Sequence, residues 1–200
     1  MKIGESHWID TAIKVPIAGG NNMGVRRFLV MHFTSGATAI SSINFWKTPD
    51  AKGASAHFVI DRDGTLYQCR PCNTTCGHAG KSKWKFGGKT YEGLNSCSIG
   101  IEFANAGDST NLIRKWSSLQ PLRAKHKNGG ILCDWERYTP EQIATAKDLS
   151  AVLVKRYKLD DIVGHEDIAK SRKVDPGPAF PMQEIRDHCG FTSPLGPSMG

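Results

Sequence analysis

No stretch of the 200 residues is apolar for long enough to cross a bilayer, and the longest run, Phe28 to Phe33, already contains His32. A cleavable leader is not written into the N-terminus either, because Glu5, His7 and Asp10 interrupt the apolar segment such a leader needs. The chain is therefore expected to be made in a cytoplasm, without a signal peptide and without stable membrane insertion. Long basic runs are missing too. A net charge of +7 and a pI near 9.2 invite anionic partners, but the cations sit in small groups at Arg26–Arg27, Lys81 to Lys89, Arg123 to Lys127 and Lys170 to Lys173. They lack the aromatic interleaving of a nucleic-acid surface, so no nucleic-acid partner is expected. Six cysteines are too few for a disulfide-dense scaffold. Cys69, Cys72 and Cys76 with nearby His78 look like a metal knuckle only superficially, since no second Cys or His pair follows at finger spacing.

Repeats and linkers are absent as well, and 39% hydrophobic with 22% charged residues is a globular composition. One domain over 1–200 is expected. Phe28 to Phe33 reads as a buried strand, Gly36 as a turn, and the stretch from Thr38 or Ala39 to about Trp46 as a helix. His57 to Asp61 and Thr65 to Gln68 read as two strands joined across Asp63-Gly64. Ser98 to Phe103 alternates, with Ile99, Ile101 and Phe103 on one face and Ser98, Gly100 and Glu102 on the other. Thr139, Pro140 and Gln142 form a capping box ahead of an amphipathic helix of about five turns. Ile162–Val163 reads as a short strand. Strands alternating with helices make the fold class α/β, a central mixed sheet flanked by helices. Two polar segments, 81–95 and 105–137, read as long loops able to wall a functional groove.

The chemistry concentrates in Gly164 to Pro178. Lys173 and Asp175 stand two apart, so on extended backbone they point the same way, and His165 can meet them across the loop. Imidazole nitrogen and carboxylate oxygen suit Zn²⁺, whose catalytic sites commonly use three protein ligands and leave one position open. His165 and Asp175 supply two. His32, near the end of a buried strand where a polar side chain is costly, is the best third, although taken alone it reads first as a hydrogen-bonded core histidine. Glu102 shares its face with small residues that leave room for a ligand; taken alone it is an ordinary strand-end glutamate.

Five blocks, VMHFTSG, SAHFVIDRDGTLYQ, GHAG, NSCSIGIEFAN and VGHEDIAKSRKVDPGPAF, resemble in order and spacing the type 2 N-acetylmuramoyl-L-alanine amidases, relatives of phage lysozyme-type amidases and peptidoglycan recognition proteins. The resemblance spans roughly 26–180, leaving N- and C-terminal extensions packed on this core, and His165 and Asp175 keep the family's ten-residue separation. It implies one zinc ion held by His32, His165 and Asp175, with Glu102 and Lys173 as the catalytic pair. Ala56 stands where some phage enzymes have a tyrosine, so that tyrosine's role does not carry over. Neither His57 nor His78 is a ligand in the family. His57 is expected to be structural, and His78, between Gly77 and Ala79-Gly80, to line the substrate groove.

The implied reaction is hydrolysis of the amide joining N-acetylmuramic acid to L-alanine in peptidoglycan. The expected partners are peptidoglycan or muropeptides, with anionic cell-wall polymers beside them, and the expected state is a monomer. A bacteriolytic, endolysin-like enzyme acting on the wall after release from an infected host is the leading setting, and a cytoplasmic muropeptide-recycling amidase is the alternative. A module that binds muropeptide without cutting it is the rival of another class, which an incomplete metal set would mark.

Overall fold

A computed structural model describes residues 1–193. The elements run β1 (Ile13–Lys14), β2 (Phe28–Phe33), α1 (Ala39–Trp46), β3 (Phe58–Ile60), β4 (Leu66–Gln68), β5 (Lys83–Phe86), β6 (Lys89–Glu92), β7 (Ser98–Phe103), α2 (Thr110–Trp116), β8 (Leu122–Ala124), β9 (Cys133–Trp135), α3 (Pro140–Tyr157), β10 (Asp161–Gly164), α4 (His165–Ile168) and α5 (Met182–His188). Six strands form the main sheet in the order β1-β4-β3-β7-β2-β10. Every neighbouring pair is parallel except β3 with β4, the tight Asp-Gly hairpin. The fold is the α/β class read from the sequence, a mixed sheet with helices on both faces.

Parallel strands covered on both faces tend to be continuous apolar runs, and β2 is one from Phe28 to Met31, all fully buried, before it reaches His32. Leu29, Met31, Ile99, Ile101 and Phe103 point to one face, where Ala146, Leu149 and Leu153 of α3 and Ile185 of α5 close the main core. Each such fully buried leucine contributes roughly 1.5–3 kcal/mol. Phe28 and Val30 point to the other face, against Ala79, Trp84, Leu94 and Ile168. On that same face α1 packs its Ala39 and Ile43 on Val59.

Local chemistry sets the helix ends. Thr139 Oγ1 accepts from Gln142 N at 3.1 Å while Gln142 Oε1 accepts from Thr139 N at 3.1 Å, with Pro140 in the first turn. Thr38 and Ser41 close the same reciprocal box on α1. The two segments read as loops carry more structure than expected. Gly87 and Gly88 both have positive φ, 54° and 76°, and turn β5 into β6, the pair of left-handed residues a type I′ hairpin requires. This hairpin holds because Trp84 is buried on the sheet. Segment 105–137 likewise contains α2 and the β8–β9 hairpin.

The N-terminal stretch is tied down by Ile9, fully buried, whose N–H donates to Gln68 Oε1 at 2.7 Å. At the other end α5 packs on α3 through the core around Ile185. The last residues of the expected C-terminal extension, 194–200, lie outside the described residues. No helix among the described residues is long and apolar enough to cross a membrane.

Candidate metal centre

His32 is the penultimate residue of β2, on the face away from α3, and its parallel partner in β7 is Glu102. The period-two alternation of both strands thus puts imidazole and carboxylate side by side. Strand β10 pairs with β2, Gly164 opposite Met31, so His165 emerges next to His32 as the first residue of α4. The chain then loops back to bring up Asp175. Glu166 N donates to Asp175 O at 2.8 Å, Gly177 N to Glu166 Oε2 at 3.1 Å, and Tyr138 Oη to Pro176 O at 2.7 Å. Asp175 is followed by a cis peptide bond to Pro176.

The outcome is a tight triangle of buried donor atoms. His32 Nδ1 lies 3.0 Å from His165 Nδ1 and 2.9 Å from Asp175 Oδ2, and His165 Nδ1 lies 3.0 Å from Asp175 Oδ2. Among the described residues this is the one cluster of three or more His, Cys, Asp or Glu side chains able to hold a metal ion. The backs of the rings explain why. His165 Nε2 faces the carbonyl of Ala79 at 3.1 Å, an atom that only accepts, so Nε2 carries the proton. His32 Nε2 faces His78 Nδ1 at 2.9 Å. With both Nε2 atoms protonated, two Nδ1 lone pairs and a carboxylate oxygen point at one another, which is repulsive without a cation between them. Tetrahedral zinc with bonds of about 2.0–2.1 Å needs its ligands about 3.3 Å apart, a small opening of this triangle.

Electrostatics follow from burial. Desolvation, with His165 adding to it, lowers His32 to about 4 against the pull of Asp175. Burial works against the Asp175 carboxylate, yet the adjoining His165 and His32 imidazoles hold it well below its usual range. Glu102 moves the other way: desolvation and the nearby Asp175 carboxylate raise it to about 8, and the positive charge of Lys173 opposes the rise. Its Oε2 is buried with no hydrogen-bond partner, which is costly unless a ligand meets it. Glu102, Lys173, His78, His165 and Asp175 all line one cavity of about 250 Å³.

All six residues singled out from the sequence therefore surround one point. His78, expected to line the groove, borders the cavity but is only 7% exposed, with both ring nitrogens engaged. His57 is fully buried, Nε2 donating to Thr74 O at 2.8 Å and Nδ1 accepting from Gly100 N at 3.1 Å. Cys69, Cys72 and Cys76 are buried free thiols, with burial pushing Cys69 and Cys76 up to about 12 and raising Cys72 as well. Sequence reading missed Trp46, Thr34, Ser35 and Ser55, which complete the cavity wall, and Asn95, whose Oδ1 accepts from His78 N and Ala79 N at 3.1 and 2.7 Å. The helical spacing of α1 could have marked Trp46; nothing local marks Asn95.

The chain is similar to known proteins in sequence and in fold. The family model described as N-acetylmuramoyl-L-alanine amidase matches residues 22–178. N-acetylmuramoyl-L-alanine amidase AmiD of Escherichia coli is 30% identical over 168 residues, 80% of this chain and 51% of AmiD. The 1,6-anhydro-N-acetylmuramyl-L-alanine amidase AmpD of Enterobacter cloacae is 33% identical over 128 residues, 63% of this chain and 52% of AmpD. The matches thus span about half the length of these relatives. A crystal structure of an AmpD selenomethionine derivative superimposes with a TM-score of 0.65 at 25% identity, covering 94% of this chain and 99% of that one. With more than half of its residues matched by one family model, the chain belongs to the type 2 N-acetylmuramoyl-L-alanine amidase family.

Proposed function

We propose that this chain is a zinc-dependent amidase that hydrolyses the bond between N-acetylmuramic acid and L-alanine in peptidoglycan or fragments of it. The observation that carries the reading is the convergence of three buried lone-pair donors, His32, His165 and Asp175, beside a buried carboxylate oxygen with no partner. These three residues would hold one zinc ion, which when bound lowers the pKa of a water towards neutrality and polarises a carbonyl. Glu102 Oε2, buried beside the centre with no hydrogen-bond partner, takes the proton of the attacking water and passes it to the leaving amide nitrogen. Lys173 Nζ meets the negative charge that develops on the scissile carbonyl oxygen. The complete metal set supports an enzyme over a module that only binds.

Substitution separates these roles. Glu102→Gln and Lys173→Met should each keep one zinc per chain while lowering turnover by about 10² or more; His165→Ala should lose metal and turnover together. Release of free L-alanine amino termini and zinc content are the measurements, and near-parental cleavage by both Glu102→Gln and Lys173→Met would sink the assignment.

The names of the relatives favour anhydromuropeptide as substrate. A second reading, attack on the intact wall, rests on a cleft of about 770 Å³ whose lining includes Lys81, Lys83, Lys170 and Arg172 together with Glu92. Four cations beside the site suit a polyanionic polymer. Rates on soluble anhydromuropeptide and on sacculi at low and high salt decide between them: a salt-sensitive preference for sacculi supports the wall, and preference for the fragment supports recycling.

A further inference from the structure

The segment Gly77-His78-Ala79-Gly80 passes behind both imidazoles of the metal centre and touches each. His78 Nδ1 lies 2.9 Å from His32 Nε2, and one residue later the Ala79 carbonyl lies 3.1 Å from His165 Nε2. The His78 ring is fixed from the far side. Its Nε2 meets Ser98 Oγ at 3.2 Å and Ser98 O at 3.4 Å. The Ser98 hydroxyl donates its proton to Leu94 O at 2.6 Å, so both Ser98 atoms present only lone pairs to His78, and the proton of the neutral ring belongs on Nε2. Nδ1 is then an acceptor, and it accepts from His32 Nε2–H. That leaves His32 Nδ1 as the bare nitrogen facing the metal position.

The space for this ring is made by Gly100, where a Cβ would come within 2.6 Å of the His78 ring. The strap itself is pinned by Asn95 Oδ1, which accepts from both His78 N and Ala79 N. Arg172 Nη2 adds a bond of 2.9 Å to Ala79 O.

We propose that His78 is a positioning residue for the metal centre: by accepting from His32 Nε2–H it fixes the tautomer and tilt of His32, as Ala79 O does for His165, so that one strap held by Asn95 presets both imidazoles for zinc. This assignment rests on the metal reading above and moves His78 from contact with substrate to support of a ligand. A groove-lining role needs a ring nitrogen free for substrate, and neither is. Partners that orient a metal-bound histidine are commonly worth 10–100-fold in metal affinity.

The test is zinc affinity of the full chain by chelator competition. His78→Ala should weaken zinc binding about 10–100-fold. His78→Asn, which puts an amide oxygen where Nδ1 stood, should recover most of the loss, whereas His78→Gln, which mimics Nε2, should not. An alanine variant that binds zinc like the parent and shows only a raised KM would overturn the proposal, as would rescue by glutamine as good as by asparagine. Should the variants fail to fold, two-bond ¹⁵N–¹H spectra of the zinc-loaded parent still decide, because a proton on His78 Nδ1 rather than Nε2 contradicts the geometry. A parent chain that takes up no zinc overturns the metal reading and this proposal with it; a parent that takes up zinc with His78 indifferent overturns this proposal alone.

Discussion

His57 lies beneath the metal centre, fully buried, and its two hydrogen bonds need a neutral ring, since Nδ1 must accept from Gly100 N. Burial is the main cause that lowers it from 6.5 to about 4. The folded-state value is below the unfolded one, so between these two pH values the unfolded chain binds the proton first. The stability His57 contributes is thus complete above about pH 6.5 and lost as pH falls towards 4, on the order of 3 kcal/mol from this one group. Denaturant midpoints at pH 7 and pH 4.5 should show that loss, and NMR titration should find no protonation of His57 near pH 6.5. Among single residues, His32, His165, Asp175, Glu102 and Lys173 were singled out by their joint order and spacing in the family's motifs, each having an ordinary structural explanation when taken alone. Asn95 was not, because a polar side chain in a polar segment has nothing unusual to report until the backbone it holds is known.

At the scale of elements, five of the six sheet strands and the capped helices α1 and α3 follow from period and capping chemistry, β1 being the strand left unread, and β2, β7, α1 and α3 begin and end where those signals stand. Segment 105–137 is different. It docks by charge: Lys127 Nζ lies 2.7 Å from Glu166 Oε1 and 2.6 Å from Asp167 Oδ1, His126 Nε2 meets Glu166 Oε2 at 2.6 Å, and Asn128 Nδ2 donates to Glu166 O at 2.7 Å. These bonds join the segment to the helix that begins with His165. Because 46% of the Lys127 side chain is exposed, Lys127→Ala should cost about 1–2 kcal/mol rather than the ~3–5 of a fully buried pair. Hydrogen exchange should quicken in 122–137 well before the sheet responds, and an unchanged exchange pattern there would refute the docking role. Such pairing between residues about 40 apart leaves no periodic trace, which is why this stretch read as loop.

For the whole molecule, folding forces three mutually repelling donor atoms together at 2.9–3.0 Å, so the metal and the fold are coupled. Free zinc at about 100 times its Kd should stabilise the protein by roughly 2.7 kcal/mol, a rise in Tm of about 5–10 °C for a chain of this size. Thermal unfolding with zinc and with chelator measures it; identical melting curves would contradict the coupling. The sequence by itself determined the α/β class, the main strands and helices, the family, and the residues proposed to carry the chemistry, because hydrophobic period, capping and motif spacing are local properties of the chain. Only the tertiary structure decided which atoms of those residues face one another. The parallel register that sets His32 beside Glu102, the strap behind both imidazoles and the placement of His78 behind a ligand all depend on strands brought together across more than 40 residues. Burial there fixes hydrogen-bond partners and ring tautomers, and no local pattern encodes them.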